Sequence, residues 1–364
     1  MQAKERNLRG VKRTICIGLG GTGKNVLMQL RRLIVDRYGD LSELPLVSFI
    51  HIDTDKNASQ NSILRTGNTY HGVSLSFKDS EKVSATMSSK EVTNFVQGLE
   101  QRNKSDRSSP YDHIGRWFPP QLLKNVKAVE DGAKGIRPVG RLAFFHNYPK
   151  IRKAIETAEK RTRGHEAKLL QKGLNLKSGL NIFIVGSLCG GTGSGMILDT
   201  AYSLRQNYGD QGAQLFGYLV ISPELYGDNS SQNANTYAAL KELNHYSTPG
   251  SQFKAVYDPQ NLVWVEEKRS PFDYTYLISN QTSGEYAILE QSKLCNVIAH
   301  KIALEFSGEL APAMSEIRSD FLSHLINSDD HPRPNVQSYL TFGLAAIYFP
   351  RDRIVQIALN RISL

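Results

Sequence analysis

Apolar and polar positions along this chain follow two rhythms. Short, continuous apolar runs rich in β-branched and aromatic residues occur at residues 13–18 (RTICIG), 46–52 (LVSFIHI), 181–185 (NIFIV), 215–222 (LFGYLVIS) and 274–279 (YTYLIS). Bounded by glycine, proline and polar residues, these runs predict strands. A later apolar run at 339–349 predicts one more. Between them, helical spacing appears at 26–38, 150–172, 196–204, 233–246 and 286–306. Residues 56–110 are polar, and QRNKSDRSSP at 101–110 reads as a mobile loop. Residues 128–150 open as a Gly/Pro-rich loop and run into an apolar stretch. The last stretch, RDRIVQIALNRISL, has the pattern of a helix just begun, as in a piece of a longer chain.

Strand, glycine-rich loop, helix and strand follow one another twice, at 13–52 and again at 181–222. That is the order of a βαβ unit, so the fold class expected is α/β with a Rossmann-like parallel sheet. The two loops carry the chemistry. GLGGTGKN spans 18–25, and GSLCGGTGSG spans 186–195. A plain strand-to-helix turn needs one glycine. Several glycines let a backbone approach a ligand, while the helix N-terminus offers unpaired N–H groups and the positive end of its dipole. Phosphate oxygens suit that combination, and Ser187, Thr192 and Ser194 add hydroxyls.

Composition narrows the classes. The chain has 364 residues, 40% hydrophobic and 22% charged, which is an ordinary globular balance with room for two domains. No apolar run reaches the roughly 20 residues of a membrane span, and no signal-peptide core follows the basic N-terminus. Cys16, Cys189 and Cys295 are few and unpatterned, which suits a reducing, cytoplasmic setting. The net charge of +9 admits an acidic or nucleic-acid partner through a basic surface. Much of the excess lies at 150–172, KIRKAIETAEKRTRGHEAKLLQK, read as an exposed basic helix.

The first loop alone fits three templates. Gly18, Gly20 and Gly23 match the dinucleotide fingerprint, with Asp53 or Asp55 ending the second strand at a longer spacing than that fingerprint uses. This keeps an NAD(P)-binding Rossmann oxidoreductase open, although no His or Tyr/Lys catalytic constellation accompanies it. Gly18–Lys24 also fits a P-loop, but Asn25 stands where a Mg²⁺-binding hydroxyl belongs.

The third template covers more. CGGTGSGM at 189–196, preceded by a strand, resembles the GGGTGSG signature of the tubulin/FtsZ superfamily, with Cys189 in place of its first glycine. GLGGTGKN at 18–25 resembles that family's first nucleotide loop, and HIDTD at 51–55 its second. GAKGIRPVG at 132–140 resembles the third, and SPELYG at 222–227 holds the place of the fifth. NTYAALKEL at 235–243 and YLISN at 276–280 are similar to the base-reading segments. The match is best to the divergent prokaryotic tubulin-like domain proteins. It implies a nucleotide-binding domain at 1–285, a central helix at 286–307 and a smaller α+β C-terminal domain, present in part, at 308–364.

What the resemblance implies is a guanine-nucleotide-binding protein, a GTPase that assembles head to tail, with GTP or GDP and Mg²⁺ as ligands. A nucleotide-dependent switch module that does not polymerise is the alternative, and the partner is a second copy, as homodimer or homopolymer. Gly20, Gly21, Thr22 and Gly23 would meet phosphates, joined by Gly135 from the third loop. Gly190, Gly191, Thr192, Gly193, Ser194 and Gly195 would cradle the β- and γ-phosphates. Asp53, Thr54 and Asp55 would stand near the γ-phosphate, Asp53 near its metal. Glu224 would take ribose hydroxyls. Asn25, Asn235 and Asn280 would read guanine, and Tyr276 would stack on it; Tyr276 also suits a core position, and Asn235 a helix cap. Hydrolysis in this family uses carboxylates from a neighbouring subunit, after the central helix. Here Glu309, Glu316 and Asp320 are available, and Asp320-Phe321 resembles the family's D-F pair, but Ser323 stands where the second acid belongs.

Overall fold

The computed structural model describes residues 9–58, 68–105, 110–124, 126–227, 230–261, 263–282, 284, 286–307, 314, 316–318, 320, 339–344 and 351–362. The first apolar run forms β1 (Arg9–Leu19), which passes directly into α1 (Gly20–Tyr38) and returns as β2 (Val47–Asp53). A small hairpin, β3 (Thr69–Tyr70) and β4 (Val73–Ser74), precedes β5 (Lys82–Ser84). Helices α2 (Ser89–Ser105), α3 (Asp112–Gly115), α4 (Arg137–Arg161) and α5 (Glu166–Gln171) follow. The second unit is β6 (Leu174–Ser187), α6 (Gly191–Tyr208) and β7 (Ala213–Val220). Then come α7 (Ser230–Ser247), the hairpin β8 (Phe253–Asp258) and β9 (Val263–Glu267), β10 (Tyr274–Ile278) and α8 (Gln291–Ser307). A further helix spans Arg351–Ile362.

Six strands form one sheet in the order β10-β7-β6-β1-β2-β5, and every pairing in it is parallel. The fold is therefore α/β of the Rossmann-like kind expected. Successive residues of a strand point to opposite faces, and both faces here are covered. Ile15, Ile17, Ile50, Ile52, Ile182 and Ile184 pack with Leu142, Phe144 and Met196 of α4 and α6. Cys16, Phe49, Phe183 and Val185 pack with Val26, Leu30, Leu294 and Ile298 of α1 and α8. Each such fully buried side chain contributes about 1.5–3 kcal/mol, which makes the β1–β6 centre the stable heart of the domain.

The strand order reverses between these two central strands, although all strands run parallel. From β1 the chain crosses by α1 to β2, and from β6 it crosses by α6, on the other face, to β7. Right-handed crossovers in opposite directions leave a crevice at the carboxyl ends of β1 and β6. Both glycine loops open there.

Several boundaries differ from the sequence reading, each for a tertiary reason. The 128–150 loop ends at Ile136, because Pro138 in the first turn starts α4. The segment at 150–172 is not one exposed basic helix. It is the end of α4, a break and α5, and the inner face of α4 is buried through Leu142, Phe144, Tyr148, Ile151 and Ile155. Helix α4 runs through Pro149, and the neighbouring Tyr148 stacks on Tyr257 at 4.6 Å. Residues 101–105, read as loop, are the last turn of α2, and 106–109 lie outside the described residues. Helix α8 begins at Gln291 instead of residue 286, because Gln281 and Ala287 pair in an antiparallel bridge first. Of the late strand at 339–349, Leu340 bridges Tyr276 in parallel, and 345–349 lie outside the described residues.

Charge fastens the segment after α8. Lys301, Glu305 and Arg318 are all buried, and Glu305 pairs with both cations. Arg318 lies over the rings of Phe216 and Tyr274, 5.2 and 5.1 Å from their centroids, and so ties its segment to the β7–β10 edge.

The first turns of α4 and α6 meet backbone to backbone. A Cβ on Gly140 would lie 2.2 Å from the carbonyl oxygen of Gly191. Gly140→Val is expected to lower stability by about 3 kcal/mol through forced separation of the two helices. Urea unfolding checks this, and an unchanged midpoint would show that the helices separate freely.

Candidate functional site

The site is built on two helix starts. Helix α1 follows Leu19 and helix α6 follows Gly190, and neither has a side-chain cap or an acidic residue in its first turn. Each therefore presents uncompensated N–H groups and a positive dipole end at the same crevice. The loops touch: a Cβ on Gly20, whose φ is +66°, would sit 3.4 Å from Thr192 Cβ. The hydroxyls of Thr54 and Thr192 are 2.6 Å apart, joining the second loop to the fourth.

The glycines divide by environment. A Cβ on Gly21 or Gly190 would meet nothing within 4 Å, so backbone there faces open space. At Gly23 it would lie 2.5 Å from the Gly18 carbonyl carbon and 2.7 Å from the Val185 oxygen. At Gly191 it would strike Ile136, at Gly193 Ser187, and at Gly195 the Arg137 oxygen, all under 3 Å. Close packing is what excludes side chains at Gly23, Gly191, Gly193 and Gly195. An approaching ligand suits Gly21 and Gly190.

The second and third loops lie side by side. Thr54 is fully buried, and its carbonyl accepts the Gly132 N–H at 3.2 Å, while Asp55 bridges Asp131. Asp53 is buried at 7% exposure, with an oxygen 3.4 Å from His51 Nε2. Lys24 is buried beside them and donates to the Ala58 carbonyl. Burial pushes the Lys24 ammonium below its ordinary value, against the opposing pull of Asp53 and Asp55. Among the described residues no group of three or more His, Cys, Asp or Glu could form a protein cage for a metal. Asp53 and Asp55 fit the pattern of Mg²⁺ sites, where one or two carboxylates share the ion with phosphate oxygens.

Other residues assigned from sequence are placed differently. Ser194 is 1% exposed, and its hydroxyl accepts from Arg137 Nε at 2.6 Å, so it binds the start of α4 instead of the crevice. Asn235 lies inside α7 and does not cap it. Its amide donates to the carbonyls of Gly135 (2.7 Å) and Cys189 (3.0 Å), clamping the third and fourth loops. Tyr276 belongs to the core, 3% exposed and stacked on Tyr218 at 4.7 Å, because its β10 position points into the α8 layer. Asn280 is buried, donating to the Ile288 carbonyl at 3.1 Å, and its N–H donates to Ser222 Oγ at 2.7 Å. Glu224 is exposed on the 3-10 turn Pro223–Tyr226, and Asn25 is half-buried in α1. Glu316 and Asp320 are exposed on either side of the anchored Arg318, and Glu309 lies outside the described residues.

Three contacts were not anticipated. Tyr226 OH and Thr22 Oγ1 are 2.7 Å apart, and Gln291 Nε2 donates to the same hydroxyl at 3.2 Å. Thr22 is thereby tied to the turn after β7 and to the start of α8. Burial pushes the Tyr226 phenol up to about 12, so it stays protonated. Arg137 links Ser194 to Glu242 of α7, 2.6 Å away. The sequence signals for these contacts are the segments that contain them: SPELYG holds Tyr226, and GAKGIRPVG holds Arg137.

A family model described as tubulin-like matches residues 15–364. Some solved structures are similar to this chain at low identity. They include a GTPγS-bound protofilament of CetZ2 from Haloferax volcanii (15% identity, 84% of this chain and 63% of that one, TM-score 0.44). A mutant FtsZ from M. jannaschii gives 15%, 83%, 59% and 0.42. A TubZ protofilament from bacteriophage PhiKZ gives 12%, 82%, 58% and 0.39. This chain spans less than two-thirds of the length of each. No curated protein sequence matches it. No helix among the described residues is long and apolar enough to cross a membrane. With the family model covering nearly the whole chain, and two glycine-rich helix starts meeting where the strand order of the parallel sheet reverses, the chain belongs to the tubulin-like family.

Proposed function

We propose that this chain binds a guanine nucleotide at the crevice between β1 and β6 and assembles head to tail with copies of itself. One observation carries the reading: two uncapped helix N-termini, those of α1 and α6, open onto one crevice, with the Thr54–Thr192 contact joining their loops. Two dipole ends with no acidic residue in either first turn suit a polyphosphate better than a single phosphate. A dinucleotide-binding Rossmann enzyme would use only the first.

In this reading the N–H groups at Gly21 and Gly190 donate to phosphate oxygens, as the open space at both glycines allows. Thr192 is half-buried and keeps its hydroxyl at the crevice. Glu224, exposed on its turn, accepts from ribose hydroxyls, and Asn25 is the amide available to the base. Asp53 would hold Mg²⁺ together with the phosphates, where the ion neutralises charge on the β- and γ-oxygens. Glu316 and Asp320, exposed on an anchored segment, orient water at the nucleotide of a neighbouring copy. A switch module without filaments is the second reading, favoured by Ser323 at the expected second acid.

Ligand class is read by thermal shift. GTP and GDP are expected to raise Tm, ATP less so, and NAD not at all; stabilisation by NAD without GTP would overturn the reading. Thr192→Trp should weaken GTP binding by more than about tenfold, measured by fluorescence titration. Unchanged affinity would place the ligand elsewhere. With a slowly hydrolysed GTP analogue, sedimentation is expected to show oligomers that grow with concentration. A monomer throughout would leave the switch reading. Asp320→Asn should then slow turnover on the order of 100-fold without loss of assembly.

A further inference from the structure

A second cavity of about 860 Å³ opens at the start of β2, away from the carboxyl ends of the strands where the glycine loops lie. Its wall includes Arg31, Lys78, Glu81, Arg161, His165 and Lys168, with Asp40 and the serines Ser42, Ser48, Ser74 and Ser76. We propose that this cavity is a ligand site separate from the glycine loops, and that it takes the phosphate group of a small phosphorylated molecule.

The charge is unbalanced toward cations. Arg31, Lys78, Arg161 and Lys168 face two lining carboxylates, Asp40 and Glu81, and Lys168 is also 3.4 Å from Glu43 just outside the wall. Glu81 serves two guanidiniums, at 3.0 Å from Arg31 and 3.9 Å from Arg161. Arg31 is 2% exposed, and its Nε–H is buried without a hydrogen-bond partner among the described residues. Leaving a buried cationic donor unpaired is costly, and an anion oxygen removes the cost. The guanidinium is fixed in place. It lies 5.1 Å from the ring centroids of both Phe49 and Phe77, and its two outer nitrogens donate to Glu81 (3.0 Å) and the Ser76 carbonyl (2.9 Å). Burial pushes the Arg31 guanidinium below its usual value, against the opposing pull of Glu81, and the nearby Arg161 adds a smaller push in the same direction as burial.

The rim is ordered as well. Arg161 donates to the Ser80 carbonyl at 3.0 Å, His165 Nε2 to the Arg161 carbonyl at 2.8 Å, and Lys168 to the Ser42 carbonyl at 2.9 Å. Each keeps further N–H or ring-nitrogen capacity for a ligand. The volume falls within the roughly 300–1,000 Å³ of small-molecule sites. Seryl hydroxyls beside cations suit phosphate more than a simple carboxylate, because phosphate offers more acceptor oxygens.

Calorimetric titration with pyrophosphate at constant ionic strength tests the proposal on the Thr192→Trp chain, whose glycine-loop crevice is blocked. Saturable binding is expected there. It should weaken by at least about tenfold in a chain that also carries Arg161→Ser and Lys168→Ser, rim changes that leave the buried Arg31 network intact. Circular dichroism of that variant reports whether the fold is kept. A second variant, Arg31→Lys, keeps the charge but removes the guanidinium and is expected to lose affinity as well. Absence of binding in the Thr192→Trp chain, or equal affinity in the rim variant, would overturn the site. If neither GTP nor NAD binds but pyrophosphate still does, the proposed function fails and this inference stands.

Discussion

Backbone packed against backbone governs this molecule. The first turn of α1 lies on β1 and β6 so closely that Gly23 would drive a Cβ into Gly18 and Val185. The first turn of α6 lies against α4 in the same way, through Gly140, Gly191 and Gly195. These contacts bring two helix starts to one point. If side chains held them apart, the dipole ends would face separate patches of solvent, and the Thr54–Thr192 contact would not form. The core isoleucines on both sides of the sheet supply the free energy, and the glycines convert it into position.

A ring of polar contacts then keeps the crevice in register. Arg137 holds Ser194 and Glu242, Asn235 holds two loop carbonyls, and Tyr226 and Gln291 hold Thr22. These side chains brace the loops. What is left open is backbone at Gly21 and Gly190. In the proposed nucleotide site the open phosphate donors are accordingly main-chain N–H groups at Gly21 and Gly190, which carry no charge of their own and need no side-chain entropy to be frozen. The cationic cavity at the start of β2 is built the opposite way, from side chains around a buried guanidinium.

Much of the fold was legible in the sequence because apolar runs bounded by glycine have few alternatives. The runs at 13–18, 46–52, 181–185, 215–222 and 274–279 each became a sheet strand. The basic segment at 150–172 was misread, because charge on an outer face hides a buried inner one until the neighbouring helix is in place. The candidate site was legible in part. The two glycine loops meet as expected, but Ser194, Asn235, Tyr276 and Asn280 turn to packing and bracing. Tyr226, Gln291 and Arg137 carried no periodicity that could flag them.

The sequence by itself determined the strand order along the chain, the two phosphate-type loops and the family they resemble, because these depend on local composition and spacing. Tertiary structure alone decided which polar side chains face the crevice and which are consumed in holding it. A threonine, asparagine or tyrosine has the same local propensity in either role. Only the distance to a partner far away in the chain, such as Thr22 to Tyr226 or Arg31 to Glu81, separates the two.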